Sequence, residues 1–205
     1  ACEGINGVSI SELEMKSQLK FFEDITTNQI HNTLIKTAAD LISEEAPNYQ
    51  LVASRLLNYQ LRKEIYGQSL PFDLYTIVKN NVENGVYTAE LLNWYTVEEF
   101  EELNKAIKHN RDFDIVYAGM EQWVSKYLVQ NRVTKQKYET PQIAYMLIAA
   151  TAFNAYPEDI RLKCVKDYYN SLSQFYITIP TPVLAGLRTS ERQFSSCVGI
   201  SVDDS

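Results

Sequence analysis

The chain has 205 residues, enough for one domain or two modest ones with a hydrophobic core. Hydrophobic residues make up 45% and charged residues 22%, as in soluble globular proteins, and the formal net charge of −7 argues against a general nucleic-acid binder. No apolar run is long enough to span a bilayer, and three scattered cysteines with two histidines suggest neither a disulfide framework nor a metal centre. We therefore expect a reduced cytoplasmic protein that binds no metal, membrane or nucleic acid.

The first 67 residues show the periodicity of three packed helices. Residues 10–22 form the first helix. Thr26 and Gln29 have capping-box spacing at the start of the second. Pro47 opens the third helix, which is predicted to end near Gly67. The apolar faces of the second and third helices consist of Ile30, Leu34, Ala38, Leu41 and Ile42, and of Val52, Leu56 and Tyr59, respectively.

From residue 68 the pattern changes to shorter helices that are rich in tyrosine. The predicted helices cover residues 73–82, 89–94 and 97–107. Residues 127–129 and 138–139 are β-like and are separated by a polar stretch. We expect these two segments to pair as a small β-hairpin.

Two further helices begin at prolines. Pro141 starts an apolar helix that runs through Phe153, and Pro157 starts another. The apolar stripe of this last helix consists of Ile160, Cys164, Tyr168, Leu172 and Phe175. After Pro180, the β-like residues of 194–202 predict a strand. The fold class is therefore mainly α, with a helical, bundle-like body and a small hairpin that lead into a strand.

Four short runs near the carboxyl end carry the most specific signal. In chain order they are Pro180-Thr181-Pro182, Arg188-Thr189, Arg192-Gln193-Phe194-Ser195-Ser196-Cys197 and Asp203-Asp204-Ser205. Together they resemble the entry to the catalytic barrel in the large (alpha) subunit of class Ia ribonucleotide reductases. Further runs that resemble this family occur in its order along the chain: residues 44–50, 61–63, 66–68, 126–131 and 138–142. The resemblance covers essentially all 205 residues.

The resemblance implies three regions. Residues 1–67 correspond to the helical part of an ATP-cone, and residues 68–192 correspond to a helical N-terminal domain. Residues 193–205 correspond to the first strand of a ten-stranded α/β barrel, the rest of which is absent from the sequence. We therefore expect the chain to be an N-terminal fragment of the large subunit that is inactive alone.

Cys197 is the candidate catalytic residue. Two facing thiols deliver two electrons and two protons by closing to a disulfide, whereas a lone thiol supplies half of what this requires. From its surroundings alone, Cys197 is expected to be a buried and inert thiol. The resemblance implies instead that Cys197 is one of a reducing pair, and that Thr181, Ser196 and Cys197 hold the nucleoside diphosphate substrate. The alternative for the two hydroxyls is local: Thr181 stabilises a turn between two prolines, and Ser196 satisfies the end of a strand.

The resemblance also implies two effector sites. Asp204 and Ser205 match the start of the motif that binds the deoxynucleotide controlling substrate specificity, with Asp203 in place of the usual glycine. The allosteric activity site for ATP or dATP is predicted to consist of Thr27, His31, Tyr59, Gln60 and Lys63. In this set Gln60 replaces a histidine that is often found in the family. The alternative is that His31 and Lys63 are ordinary solvated side chains.

These expectations combine into one function. The whole enzyme is expected to reduce ribonucleoside diphosphates to their 2′-deoxy forms by radical chemistry. The radical comes from a metal-containing small subunit, and the electrons come from an external dithiol, thioredoxin or glutaredoxin. The chain itself holds no cofactor directly, and its partners are the remainder of the large subunit and the small subunit. The competing interpretation is a non-catalytic, helical nucleotide-binding regulatory module.

Overall fold

The computed structural model describes residues 1–202. As predicted, this part of the chain is mainly helical. Its α-helices are α1 (Ile10–Gln18), α2 (Thr27–Asp40), α3 (Tyr49–Tyr66), α4 (Leu74–Glu83), α5 (Glu90–Trp94), α6 (Val97–Ala106), α7 (Tyr117–Gln122), α8 (Pro141–Ala152), α9 (Glu158–Ser173) and α10 (Thr181–Gly186). A 3₁₀ segment covers His109–Asp114, and a π-helical turn covers Trp123–Tyr127. The 3₁₀ segment, α7 and the π-helical turn were not predicted from the sequence.

The helix starts follow from local sequence. Thr26 caps α2 through a capping box with Gln29, and Thr96 caps α6 through the same box with Glu99. In each box the threonine hydroxyl accepts a backbone N–H while the partner side chain accepts the threonine's own N–H. Helix α3 ends at Gly67, whose φ of 67° lies in the left-handed region that favours glycine.

Contacts divide the chain into two compact units. The first comprises residues 1–72, 108–126 and 130–141. Among the described residues, the second comprises residues 73–107, 127–129 and 142–202. The division of the sequence at residues 67 and 192 remains a prediction.

In the first unit, α2 packs against α1 and α3, and α3 also packs against α7 and the 3₁₀ segment. The buried core of this unit includes Leu13, Ala38, Leu41, Tyr49, Val52 and Ala53. The Tyr49 hydroxyl accepts the Ser9 backbone N–H at 2.9 Å and donates to the Glu12 carboxylate at 3.1 Å. These bonds fasten the start of α1 to the start of α3.

A row of buried polar residues runs along the side of α3 that contacts the 3₁₀ segment. It recurs every fourth residue and consists of Ser54, Asn58, Arg62 and Tyr66. The Ser54 hydroxyl donates to the Ile115 carbonyl. The Arg62 guanidinium donates to the His109 carbonyl at 2.6 Å and pairs with the buried Asp112 carboxylate at 3.0 Å. Ser54 and Arg62 thus pair with a backbone carbonyl and a buried carboxylate that a purely apolar helix face would leave unpaired.

In the second unit, α4 contacts α5 and α6, and α6 contacts α9. Helix α8 is apolar and is buried along residues 141–151. Arg161 of α9 pairs with the Glu99 carboxylate, and its guanidinium lies 4.6 Å from the centre of the Tyr95 ring. The Tyr95 hydroxyl in turn donates to the Ala150 carbonyl at 2.8 Å.

Leu172 of the predicted α9 stripe is buried, but the rest of the buried face is shifted by one residue. The prediction placed Ile160 and Phe175 inside, but both are exposed, and Cys164 is half-buried. The buried side chains are Arg161, Val165, Tyr169, Leu172 and Ser173. The periodicity was wrong because it counted apolar residues alone, whereas Arg161 turns inward to its carboxylate partner.

The two predicted β elements do not form among the described residues. Tyr127 belongs to the π-helical turn, and residues 127–129 form no ladder with residues 138–139. A single antiparallel bridge instead joins Gln130 to Lys137. Residues 194–202 form no strand, because a strand exists through ladder hydrogen bonds and no described residue supplies them. None of the helices within residues 1–202 is long and apolar enough to cross a membrane.

Candidate functional site

Helices α2 and α3 carry the five residues predicted for the nucleotide activity site. Thr27 is the first residue of α2 and is exposed, because the capping role is taken by Thr26. His31 follows one turn later and is half-buried, and its Nδ1 atom has no hydrogen-bond partner among the described residues. Lys63 of α3 is exposed. The two helices pack against each other, so the predicted residues lie on neighbouring elements.

Gln60 makes the direct link between these helices. Its side-chain Nε2 donates to Asn32 Oδ1 at 3.2 Å and to Glu64 Oε1 at 3.1 Å. Tyr59, one residue earlier, is 39% exposed, and its ring lies 5.3 Å from the Phe113 ring between centroids. Sequence reasoning did not single out Asn32. The sequence signal that could have identified Asn32 is an amide directly after His31, on the exposed side of a capped helix.

A groove of about 190 Å³ lies beside the Gln60 amide. Its lining consists of Asn32, Leu57, Gln60, Leu61, Glu64, Val124 and Lys137. The Lys137 ammonium lies 4.0 Å from the Glu64 carboxylate. The groove thus combines an apolar floor with amide and charged groups at its edge, which suits a flat, polar-edged ligand. Gln60 is the member of the predicted set that lines it.

Behind α3, the imidazole of His109 is largely enclosed. Burial, and to a smaller extent the nearby Arg62 guanidinium, lower its pKa from 6.5 to about 4. The same guanidinium lies 4.8 Å from the centre of the Phe113 ring, which also contacts Tyr59. The exposed face of α3 therefore rests on an enclosed layer that contains the Arg62–Asp112 ion pair and a neutral imidazole.

Thr181 begins α10. It is exposed, with Pro180 at the N-cap position and Pro182 directly after it. The predicted turn is therefore the first turn of a short helix, whose start the two prolines favour. Helix α10 ends at Gly186, and Leu187 follows as its C-cap.

The run from Gly186 to Phe194 is fastened to the second unit. Arg188 is fully buried, and its guanidinium donates to the carbonyl oxygens of Leu184 at 2.6 Å and Tyr127 at 3.0 Å. Arg192 pairs with the Glu90 carboxylate at 2.8 Å. These residues were quoted in the sequence motif, but their structural role was not predicted.

Cys197 lies beyond this fastened run and is exposed. The Ser195 hydroxyl donates to the Cys197 carbonyl at 2.8 Å, and the Ser196 hydroxyl lies 3.8 Å from the Cys197 sulfur. The buried position that surroundings alone favoured is therefore wrong. Ser196 and Cys197 are neighbours in space. No contact is described between them and Thr181. Asp204 and Ser205 lie outside the described residues.

The three cysteines are all free thiols. Cys2 and Cys164 are half-buried, whereas Cys197 is exposed. A thiol that is to meet another thiol must be accessible to it. By exposure, Cys197 is the best placed of the three for redox chemistry.

Comparison with known proteins identifies the family. A family model described as "Ribonucleotide reductase, all-alpha domain" matches residues 113–192. The chain is 49% identical over its whole length to ribonucleoside-diphosphate reductase 1 subunit alpha of Escherichia coli. It is 43% identical, over 97% of its length, to the subunit alpha of Enterobacteria phage T4. The chain belongs to the ribonucleoside-diphosphate reductase alpha-subunit family. A more distant relative, from Helicobacter pylori, is 37% identical over the whole chain.

The chain corresponds to the N-terminal part of these alpha subunits. It spans 27% of the Escherichia coli protein, 26% of the phage protein and 25% of the Helicobacter pylori protein. The match to the all-alpha domain includes Thr181 and Arg188 and ends at Arg192, before Cys197. The helices that carry the candidate activity site lie before that match, within the part covered by the whole-chain relatives.

Proposed function

We propose that this chain is the N-terminal part of the alpha subunit of a class Ia ribonucleotide reductase, which converts ribonucleoside diphosphates to 2′-deoxyribonucleoside diphosphates. The observation that carries the proposal is the similarity over the entire chain to three proteins named as subunit alpha of ribonucleoside-diphosphate reductase. The exposed Cys197, held just beyond a fastened run, supports it.

In this proposal Cys197 is one of two reducing thiols. The second thiol comes from the rest of the alpha subunit. The C2′–O bond of the ribose breaks and the oxygen leaves as water, while a C2′–H bond forms. The two thiols lose two electrons and two protons and close to a disulfide, which an external dithiol such as thioredoxin or glutaredoxin reduces again. The small subunit supplies the radical that activates the substrate.

The neighbouring residues position nucleotides. Ser196 and the exposed Thr181 offer hydroxyl groups that hydrogen-bond phosphate and ribose oxygens without adding charge. Asp204 and Ser205 are proposed to contact the specificity effector. Thr27, His31, Tyr59, Gln60 and Lys63 are proposed to contact ATP or dATP at the activity site. Together these assignments give one chain contacts to substrate and to both effectors.

The experiment that tests this function uses a chimaeric alpha subunit. The 205 residues replace the corresponding part of the Escherichia coli relative, and deoxynucleotide formation is measured with the small subunit and a dithiol. We expect turnover in the chimaera and none from the 205 residues alone. Cys197→Ser should abolish steady turnover, because one member of the reducing thiol pair is removed and no disulfide can close.

Cys164→Ser is the matched control. It removes a half-buried thiol from the same unit and should leave turnover within about twofold. Near-normal turnover of the Cys197→Ser chimaera contradicts the proposed role of this cysteine. Turnover by the isolated chain contradicts its dependence on the rest of the subunit.

A second candidate function is nucleotide sensing by helices α2 and α3 without catalysis. It is favoured by the groove of about 190 Å³ at the Gln60 amide. Titration of ATP and dATP against the chain tests this, with Lys63→Ala expected to weaken binding about tenfold if the ammonium contacts phosphate. Lys36→Ala, an exposed lysine of α2, is the matched control and should leave binding unchanged. Equal affinity in both variants contradicts the role of Lys63.

A further inference from the structure

We propose that Arg188 is a positioning residue that fixes the backbone leading to Cys197. The proposal rests on the proposed function, because it takes Cys197 to be a reducing thiol. It goes beyond that function because it names a side chain that touches neither substrate nor sulfur. The following contacts all lie within the second unit.

Arg188 ties together three stretches that are distant in sequence. Its guanidinium donates to the Leu184 carbonyl at 2.6 Å and to the Tyr127 carbonyl at 3.0 Å. Its own carbonyl accepts the Thr88 backbone N–H at 3.1 Å. The side chain is fully buried. A buried cation is unfavourable unless its donors are directed at acceptors, so the arrangement has a defined geometry.

A second contact holds the run four residues later. Arg192 pairs with the Glu90 carboxylate at 2.8 Å and also donates to the Thr189 and Glu191 carbonyls at 3.2 and 3.0 Å. Both partners of this pair are about half exposed, so it is weaker than the Arg188 contacts. The Arg192–Glu90 pair therefore restrains residues 189–192 less than the buried Arg188 contacts do.

The third contact is a close approach between Gly186 and Phe194. A Cβ atom added at Gly186 would lie 3.3 Å from Cε1 of the Phe194 ring and 3.5 Å from the Glu191 Cβ. The ring therefore lies so close to this position that a methyl group there would require the ring to move by a few tenths of an ångström. This contact fixes the last fastened residue before the serine-rich segment.

The short distance from this point to Cys197 makes the anchor relevant to chemistry. Cys197 lies three positions after Phe194, and a fully extended chain spans about 11 Å at most over three positions. A disulfide forms when the two Cα atoms are about 4.4–6.8 Å apart. Displacement of the run by an ångström or two is therefore enough to take the thiol out of register with its partner.

Arg188→Lys tests the proposal in the chimaeric alpha subunit. The ammonium of lysine lacks the planar fork that reaches two carbonyl oxygens at once, so it keeps the charge and loses one of the two fixed directions. We expect kcat to fall about ten- to a hundredfold, as misplacement of a reacting group does. The rate of disulfide formation between Cys197 and its partner thiol, measured by mass spectrometry after oxidation with diamide and without substrate, should fall in parallel.

Arg161→Lys is the matched control. Among the described residues of the same unit, Arg161 is the other buried arginine, and it pairs with Glu99 rather than with the run that leads to Cys197. It should lower thermal stability as Arg188→Lys does and leave kcat and the disulfide rate within about threefold. Equal losses in both variants overturn the positioning role and leave a purely structural one.

Comparison with Cys197→Ser separates this proposal from the proposed function. If Cys197→Ser leaves turnover intact, the proposed function itself fails. If Cys197→Ser abolishes turnover while Arg188→Lys matches its control, the positioning role alone fails.

Should Arg188→Lys not fold, Gly186→Ala takes its place, since the added methyl displaces the Phe194 ring by a few tenths of an ångström. We expect about a two- to tenfold slower disulfide step, and an unchanged rate overturns the proposal.

Discussion

Two parts of this chain carry residues for which the family resemblance implies nucleotide chemistry, and they are held in opposite ways. The face of helices α2 and α3 lies on the hydrophobic core of the first unit, with the buried Arg62–Asp112 pair directly behind it. The segment of residues 195–202 leaves its last anchor at Phe194 and is exposed throughout. The first part can therefore be tested on the chain by itself. The role of the second part can be tested only in a complete alpha subunit.

The largest effect on stability is expected from the support behind α3. Asp112→Ala leaves the buried Arg62 guanidinium without its carboxylate, which typically costs about 3–5 kcal/mol. Urea unfolding of the chain measures this change. Lys20→Ala, which breaks an exposed pair with Asp40 in the same unit, should have a far smaller effect. Equal effects from both variants would show that the buried pair is not what supports this face.

The next effect is a dependence of stability on pH from His109. Its folded pKa of about 4 lies below the ordinary 6.5, so the unfolded chain binds more protons between these values. The stability from the neutral imidazole is complete above pH 6.5 and falls as pH drops to about 4, by up to about 3 kcal/mol. His109→Gln should remove this part of the pH dependence, and His31→Gln should retain it. Matching pH profiles for the wild type and His109→Gln contradict the assignment.

A smaller effect comes from the start of α2, where the candidate activity site begins. Thr26→Ala removes the hydroxyl that accepts the Gln29 N–H and should cost about 1 kcal/mol. Thr96→Ala removes the same capping box from α6 in the second unit and is the matched comparison. If nucleotide binding depends on an ordered α2, Thr26→Ala should also weaken it and Thr96→Ala should not. If Thr26→Ala lowers stability but both variants bind nucleotide equally well, the α2 cap is not required for nucleotide binding.

Local signals explain why much of the helical fold is predictable. The threonine and glutamine at positions 26 and 29 predict where α2 begins, and Gly67 predicts where α3 ends. Both features act within a single turn of the backbone, so they are visible in the sequence. The apolar run that begins at Pro141 likewise predicts the body of α8, which is buried along residues 141–151.

Features that depend on distant partners escape this kind of reasoning. The inward direction of Arg161 depends on Glu99, 62 residues away. The burial of Arg188 depends on the Tyr127 carbonyl, 61 residues away. Periodicity assigns charged residues to the solvent, so it misplaces Arg161 and gives no indication that Arg188 is buried. The strand predicted at residues 194–202 has the right alternation of side chains, but a ladder requires a neighbouring strand.

In the isolated chain, the smallest effect on stability is expected from a substitution in residues 195–202. Val198, Ile200 and Val202 are 82–83% exposed and alternate with Cys197, Gly199 and Ser201. In the chain alone, Ile200→Ser removes no packed contact and should change the free energy of unfolding by less than about 0.5 kcal/mol. In the chimaeric alpha subunit, where we propose that this segment joins the barrel, the same substitution should cost about 1–3 kcal/mol. Urea unfolding of both proteins measures the pair of values. An unchanged stability in the chimaera contradicts burial of Ile200 there, and a large loss in the isolated chain contradicts its exposure.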